Sequence, residues 1–140
     1  MFVKNNRDQE VILAQCSVKE KHYVSPNLIR VVLETDDIED YAGIQPGVTI
    51  KIFFPHPELE EIIYPAWLIV DDKPDTDLPS MYRTFTLSHI DIEENELWID
   101  FVDHGDIGYA SWWAVNAEPG DILAVATKKR ETDFKSDKEN

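Results

Sequence analysis

This 140-residue chain is short of cysteine, long apolar runs and positive charge, and each shortage excludes something. Its one cysteine, Cys16, can form no internal disulfide, and Met1 to Arg7 lacks the apolar run of a secretory signal, so a cytoplasmic protein is expected. The longest clear apolar run, Ala66 to Val70, has five residues, far below the roughly 20 a membrane-spanning helix needs, and membrane insertion is not expected. Thirteen Lys and Arg face 28 Asp and Glu, a net charge of −15 that would repel a nucleic-acid backbone. The shortage is sharpest between residues 52 and 127, where sixteen carboxylates accompany two fixed cations, Lys73 and Arg83. The four histidines, His22, His56, His89 and His104, show no paired spacing for a metal, and with one distant cysteine a zinc site is not expected.

What is present suits one packed domain. Hydrophobic residues make up 43% of the chain and aromatic residues 11%, ample for a single core at this length. Residues 10–24 and 27–35 carry β-branched residues on either side of Ser25-Pro26-Asn27, which predicts a hairpin. Asp36 to Tyr41 reads as too acidic and short for a core element, and Pro46-Gly47 turns the chain into a third strand with Val48, Ile50, Ile52 and Phe54 on one face. From Pro55 to Ser80, prolines and carboxylates dissolve the pattern into a long, partly mobile excursion, with short elements possible only at 59–63 and 67–70.

Regular pattern returns at 82–90 and, after a turn at Glu93 to Asn95, at 97–102; a helix is predicted at about 108–117 and a last strand at 122–126. Six strands with one helix between the fifth and sixth favour a closed antiparallel barrel or a sandwich over an α/β sheet.

Two stretches carry chemistry. In Arg83-Thr84-Phe85-Thr86, alternation sends Arg83 and Phe85 to one face and the threonines to the other, unless a bulge re-aims one of them. A guanidinium and a ring on one face suit a charged, planar ligand, and the competing reading is a cross-strand salt bridge from Arg83 to one of the many carboxylates. In Asp103 to Ser111, two glycines lead from a strand into a helix whose first amides lack intrahelical partners, an arrangement that favours an anion. Of the adjacent Trp112 and Trp113, about 100° apart on a helix, Trp113 is expected in the core and the other half exposed. A Ser111-His104-Asp100 triad can be drawn, but no oxyanion hole or order of parts supports it.

Three ordered motifs resemble the FAD-binding domain of the siderophore-interacting proteins, a family of ferric-siderophore reductases related to ferredoxin reductases. They are Arg83-Thr84-Phe85-Thr86, then the strand and turn from Ile99 through His104-Gly105-Asp106-Ile107-Gly108 to Ala110-Ser111-Trp112-Trp113-Ala114, then Ala117-Glu118-Pro119-Gly120-Asp121-Ile122-Leu123. The resemblance implies an all-β domain, a six-stranded antiparallel Greek-key barrel of the ferredoxin-reductase-like FAD-binding type, expected over residues 1–127, and the charged run from Lys128 predicts a flexible tail at 128–140. It implies FAD as cofactor, with FMN possible. Arg83 would contact phosphate, Phe85 would lie against the isoalloxazine, and Thr84 and Thr86 would border it. Gly105, Gly108, Ala110 and Ser111 would hold the pyrophosphate, with His104 close by.

This sequence departs from the family pattern at Phe85 for Tyr, Ser88 for a second Arg, Tyr109 for Pro, and Ala126-Thr127 for Gly-Pro. The family's nicotinamide-binding domain has no counterpart here, so NAD(P)H would act through a missing or separate domain or a partner reductase chain. The implied function is NAD(P)H-dependent reduction of ferric siderophores. The alternative is a non-enzymatic descendant that uses the barrel as a protein-interaction module.

Overall fold

A computed structural model describes residues 1–71, 73–102 and 108–129. The strands are β1 (Phe2–Asn5), β2 (Glu10–Ser25), β3 (Leu28–Glu34), β4 (Thr49–His56), β5 (Glu61–Ile62), β6 (Leu68–Ile69), β7 (Met81–Asp91), β8 (Glu96–Val102) and β9 (Ile122–Lys128), with helix α1 (Tyr109–Asn116) between the last two. Six of them close on themselves in the order β3-β8-β7-β4-β9-β2, with β2 returning to pair with β3, and every pairing is antiparallel. These are the six strands the sequence predicts, and the non-sequential order is the Greek-key barrel. Closure removes the exposed edges that an open sheet of this size would present.

The interior follows from alternation. Ile50, Ile52 and Phe54 of β4 point inward, as expected, and meet Ile12, Ala14, Cys16, Ile29, Val31, Leu33, Leu87, Leu97, Ile99, Phe101, Leu123 and Val125. Helix α1 closes the barrel where Phe54 and Phe101 lie: Trp113 is buried with its ring 5.4 Å from Phe54 and 5.8 Å from Phe101, whereas Trp112 is half exposed. Burial drives the Cys16 thiol's pKa up to about 12, so it is a packing group and not a thiolate.

Two expectations need correction. The acidic stretch after β3 is a core element: Ile38–Tyr41 form a 3-10 turn that buries Ile38 and Tyr41, while Glu39 and Asp40 face outward. Tyr41 shares a hydrogen bond of 3.1 Å with the Thr127 hydroxyl, which satisfies its phenol inside the core.

The 55–80 segment is likewise part of the packed structure. It adds β5 and β6, the latter paired with β1, and lays Tyr64, Trp67 and Leu68 over the outside of the barrel against Phe53, Val11, Leu13, Ala124 and Ala126. Phe53 makes ring contacts with Tyr64, Trp67 and Tyr82 at 5.2 to 6.2 Å. Strands β2, β4 and β9 are therefore covered on both faces, which is why Val11 to Ala14 and Leu123 to Ala126 read as unbroken apolar runs.

Candidate functional site

Strand β7 is bordered unequally. Towards β4 it pairs without a break from Met81 to Thr86. Towards β8 it pairs only between Leu87 and Asp91, with a bulge at Ser88, and among the described residues no ladder pair joins Met81–Thr86 to β8. The bulge lies outside Arg83–Thr86, whose alternation is therefore undisturbed, and at it the Ser88 hydroxyl donates to the Trp98 carbonyl at 2.9 Å. Beyond the Leu87–Ile99 pair no ladder pair joins the two strands, and the gap is a cleft of about 660 Å³ lined by Arg83, Thr84, Phe85, Thr86 and Ser88 from β7, Asp100 to Val102 from β8, and Gly108, Ala110 and Ser111 from the start of α1.

Backbone alternation decides which groups look into this cleft. The Leu87 amide donates to the Val48 carbonyl at 3.0 Å and the Leu87 carbonyl accepts from the Gly47 amide at 2.8 Å, so Leu87 turns both groups towards β4. Arg83 and Phe85 share that direction, and the peptide groups of Thr84 and Thr86 face the opposite way, towards β8. The Leu87–Ile99 pair, whose own Leu87 groups face β4, is held by its flanking residues, so the Thr86 carbonyl is taken by the Asp100 amide; beyond it the Thr84 peptide groups and the Thr86 amide face the opening, where they can meet a flat polar ligand.

The side chains fit the same class of ligand. Phe85 sits opposite Ile50 and packs on Phe101 with ring centroids 4.6 Å apart, half-buried between core and cleft. Arg83 is exposed and makes no ion pair among the described residues; its guanidinium donates to the Tyr82 carbonyl at 2.8 Å. Among the described residues Arg83 thus lacks the carboxylate partner of the salt-bridge reading, and it lines the cleft with donors beyond the one bound to Tyr82.

Gly108 has φ 82° and ψ 157°, a backbone shape open essentially to glycine, and lets the chain turn directly into α1. The helix has no side-chain cap, and its hydrogen-bond ladder starts only at Trp112 bonding to Gly108, so the Tyr109 and Ala110 amides have no intrahelical acceptor. Tyr109, where the family pattern has proline, packs on Phe54 and donates its hydroxyl to the Pro55 carbonyl at 3.4 Å. His104 and Gly105 lie outside the described residues.

Two cations join the site from strands remote in sequence, and sequence reasoning missed both. Lys51 on β4 reaches Thr84, its ammonium donating to the hydroxyl at 3.1 Å. Arg30 on β3 clasps Asp100 through two bonds, Nε to Oδ1 at 2.9 Å and Nη2 to Oδ2 at 3.0 Å, and lies over the Trp98 ring at 5.3 Å. Asp100 in turn holds the guanidinium's pKa above its ordinary value. With both oxygens bound to Arg30, Asp100 is a structural anion and has no place in a hydrolytic triad. The only sequence signal for either pairing is strand register, Arg30 opposite Asp100 and Lys51 opposite Thr84, which becomes visible once the strands are aligned.

A second groove of about 410 Å³ lies on the outer surface, lined by Lys51 and Lys128 with Trp67, Thr49, Asn5 and apolar residues of β2, β4 and β9. Neither lysine has a carboxylate partner among the described residues, which is unusual in a chain with 28 of them. Thr84 lines the cleft and takes the bond from Lys51, which lines the groove, so the two hollows share a wall.

The cleft passes a test of fit for a flavin nucleotide: adequate volume, a strand edge and an aromatic ring for a planar system, and a guanidinium with no ion pair among the described residues in the same hollow as a helix start without a side-chain cap, for phosphate. Barrel and cleft together define a flavin-binding domain of the reductase type. The chain belongs to the siderophore-interacting FAD-binding domain family, whose model matches residues 17–130. It is 33% identical over 115 residues to the ferric vibriobactin reductase ViuB of Vibrio cholerae, covering 75% of this chain and 38% of that protein. Among solved structures it resembles the siderophore-interacting protein SipS from Aeromonas hydrophila, with 34% identity and a TM-score of 0.67 over 86% of this chain and 43% of that one. It also resembles a siderophore utilization protein from T. fusca, with 28% identity and a TM-score of 0.64 over 90% of this chain and 46% of that one. The chain thus spans less than half the length of these relatives. No helix among the described residues is long and apolar enough to cross a membrane.

Proposed function

We propose that this domain binds FAD in the cleft between β7 and β8 and serves as the flavin-carrying part of a ferric-siderophore reductase, with reducing equivalents drawn from NAD(P)H bound outside the barrel. The observation that carries this reading is convergence: Arg83, the peptide edge of Thr84 and Thr86, the Phe85 ring and the start of α1 meet in one hollow although they come from elements some 20 residues apart. A barrel with no ligand would gain stability by continuing the β7–β8 ladder into this gap, and here it does not.

When bound, FAD would supply the transfer of electrons one at a time that reduction of ferric iron requires. The chain's own residues bind and orient. Arg83 and the first-turn amides would hold the phosphates; Phe85 would offer its ring to the isoalloxazine; Thr84 and Thr86 would hydrogen-bond the ring edge through their peptide groups. Gly108, Ala110 and Ser111 would keep the helix start close enough for the pyrophosphate, and His104 and Gly105 are assigned to the same turn.

The groove bearing Lys51 and Lys128 suits the acceptor, because two ammonium groups with no carboxylate partner among the described residues lie beside Trp67 and attract an anionic, ring-bearing chelate to the other side of the Thr84 wall.

Titration of the flavin-free protein with FAD and with FMN, followed by flavin fluorescence, tests the proposal. FAD is expected to bind at micromolar concentration or below and more tightly than FMN. Arg83→Ala should weaken FAD binding by about 1.5–3 kcal/mol, the value of charge-assisted hydrogen bonds. Failure of either flavin to bind at micromolar levels would sink this reading. It would leave the barrel as a protein-interaction module, a role for which Ser88 in place of a second cation speaks.

A further inference from the structure

The outer face of β3 and β8 places a carboxylate on the wall of a cleft suited to an anion. Asp100 points away from the barrel interior, between the inward-facing Ile99 and Phe101, and lines the cleft just where β8 leaves β7. In a chain already carrying −15, an unpaired carboxylate there would oppose any phosphate-bearing ligand at short range, where solvent screening is least effective. The last ladder pair of this seam is Leu87 with Ile99, so Asp100 sits beside Thr86 where the ladder ends, and both line the cleft. Left to itself, Asp100 could therefore both repel the ligand and occupy the strand edge the ligand needs.

Arg30 prevents both. Its two bonds engage both carboxylate oxygens, its guanidinium lies over the Trp98 ring at 5.3 Å, and the register Arg30 opposite Asp100 ties the end of β8 to β3. We infer that Arg30 is a positioning residue for the flavin site: it acts through Asp100, neutralising that carboxylate and holding it on the β3 side so that the β7 edge stays open to an anionic ligand. This rests on the flavin reading proposed above. The pair is partly solvent-exposed, so its contribution to folding is small, and its effect is expected mainly on binding.

The test is a double-mutant cycle on the full chain, with FAD affinity and urea unfolding measured for wild type, Arg30→Met, Asp100→Asn and the double variant. Arg30→Met should bind FAD about tenfold more weakly, as expected when one partner of a charge pair is removed and the other left bare. Asp100→Asn should bind at least as tightly as wild type, and the double variant should recover most of the loss. Added salt should strengthen FAD binding to Arg30→Met relative to wild type, since it screens the exposed carboxylate; a merely structural role would not give that shift. If Arg30→Met binds as wild type does, or if Asp100→Asn fails to rescue it, the role assigned to Arg30 is wrong. Should Arg30→Met not fold, weaker binding by Asp100→Asn than by wild type would overturn the role by itself. If wild type binds no FAD, the flavin reading itself fails, a result distinct from the other two.

Discussion

The two seams of β7 differ along the same eleven residues. On the β4 side the ladder is continuous from Met81 to Thr86, and behind it lies the outer layer of Tyr64, Trp67 and Leu68. On the β8 side the ladder carries a bulge at Ser88 and stops at Leu87, and beyond that pair Phe85 and Phe101 are in contact through their rings. The first seam spends its apolar residues on stability. The second leaves backbone polar groups unpaired, a cost that a fold tolerates where a ligand can satisfy them.

Substitutions should separate the seams. The largest effect is expected on the covered side, where Phe53 is fully buried among three aromatic rings: Phe53→Ala should destabilise the domain by about 3–5 kcal/mol in urea unfolding, while the folded fraction keeps its FAD affinity. Equal loss of affinity would mean the two seams are not independent.

On the open side, Gly108→Ala should cost about 1–3 kcal/mol, because alanine is strained at φ 82° and ψ 157°, even though a Cβ there would meet no atom. That cost should appear in FAD affinity, as the start of α1 shifts. A loss confined to stability would detach Gly108 from the site.

The smallest effect concerns the sealed half of the β8 seam. Glu96, opposite Asp91, accepts from the Lys19 ammonium and from the Trp98 indole, and these bonds hold its pKa below the ordinary glutamate value. A depressed pKa contributes stability that is present above the ordinary glutamate range and lost as pH falls through the folded value. Glu96→Gln should therefore lower stability at neutral pH and flatten its decline in acid, with FAD affinity unchanged. An unaltered acid limb would contradict the assignment.

Much of the fold was legible because its signals are local. Alternation in 48–54, the turn at Ser25 to Asn27 and the glycine-led helix at about 108–117 rest on neighbours a few residues apart, and the structure shows α1 at Tyr109–Asn116. The outer layer was obscured because prolines and carboxylates at 55–80 mask Trp67 and Leu68. The readable clue lay elsewhere, in the unbroken apolar runs of β2 and β9, which demand cover on both faces. Ile38 and Tyr41 were missed for a related reason: four carboxylates surround two residues three apart that share one face.

In the site, the contiguous run Arg83 to Thr86 could be read directly. Lys51 and Arg30 could not, since their places depend on which strands pair and in what register, information that emerges only when the barrel closes.

Amide hydrogen exchange along β7, with and without FAD, tests the central claim most directly. Arg83, Phe85 and Leu87, which turn towards β4, should exchange slowly in both states. Thr84 and Thr86 should exchange quickly in the flavin-free protein and slow markedly when FAD is added. If Thr84 and Thr86 are already protected without flavin, or stay unprotected at saturating FAD, the open seam is not the flavin site.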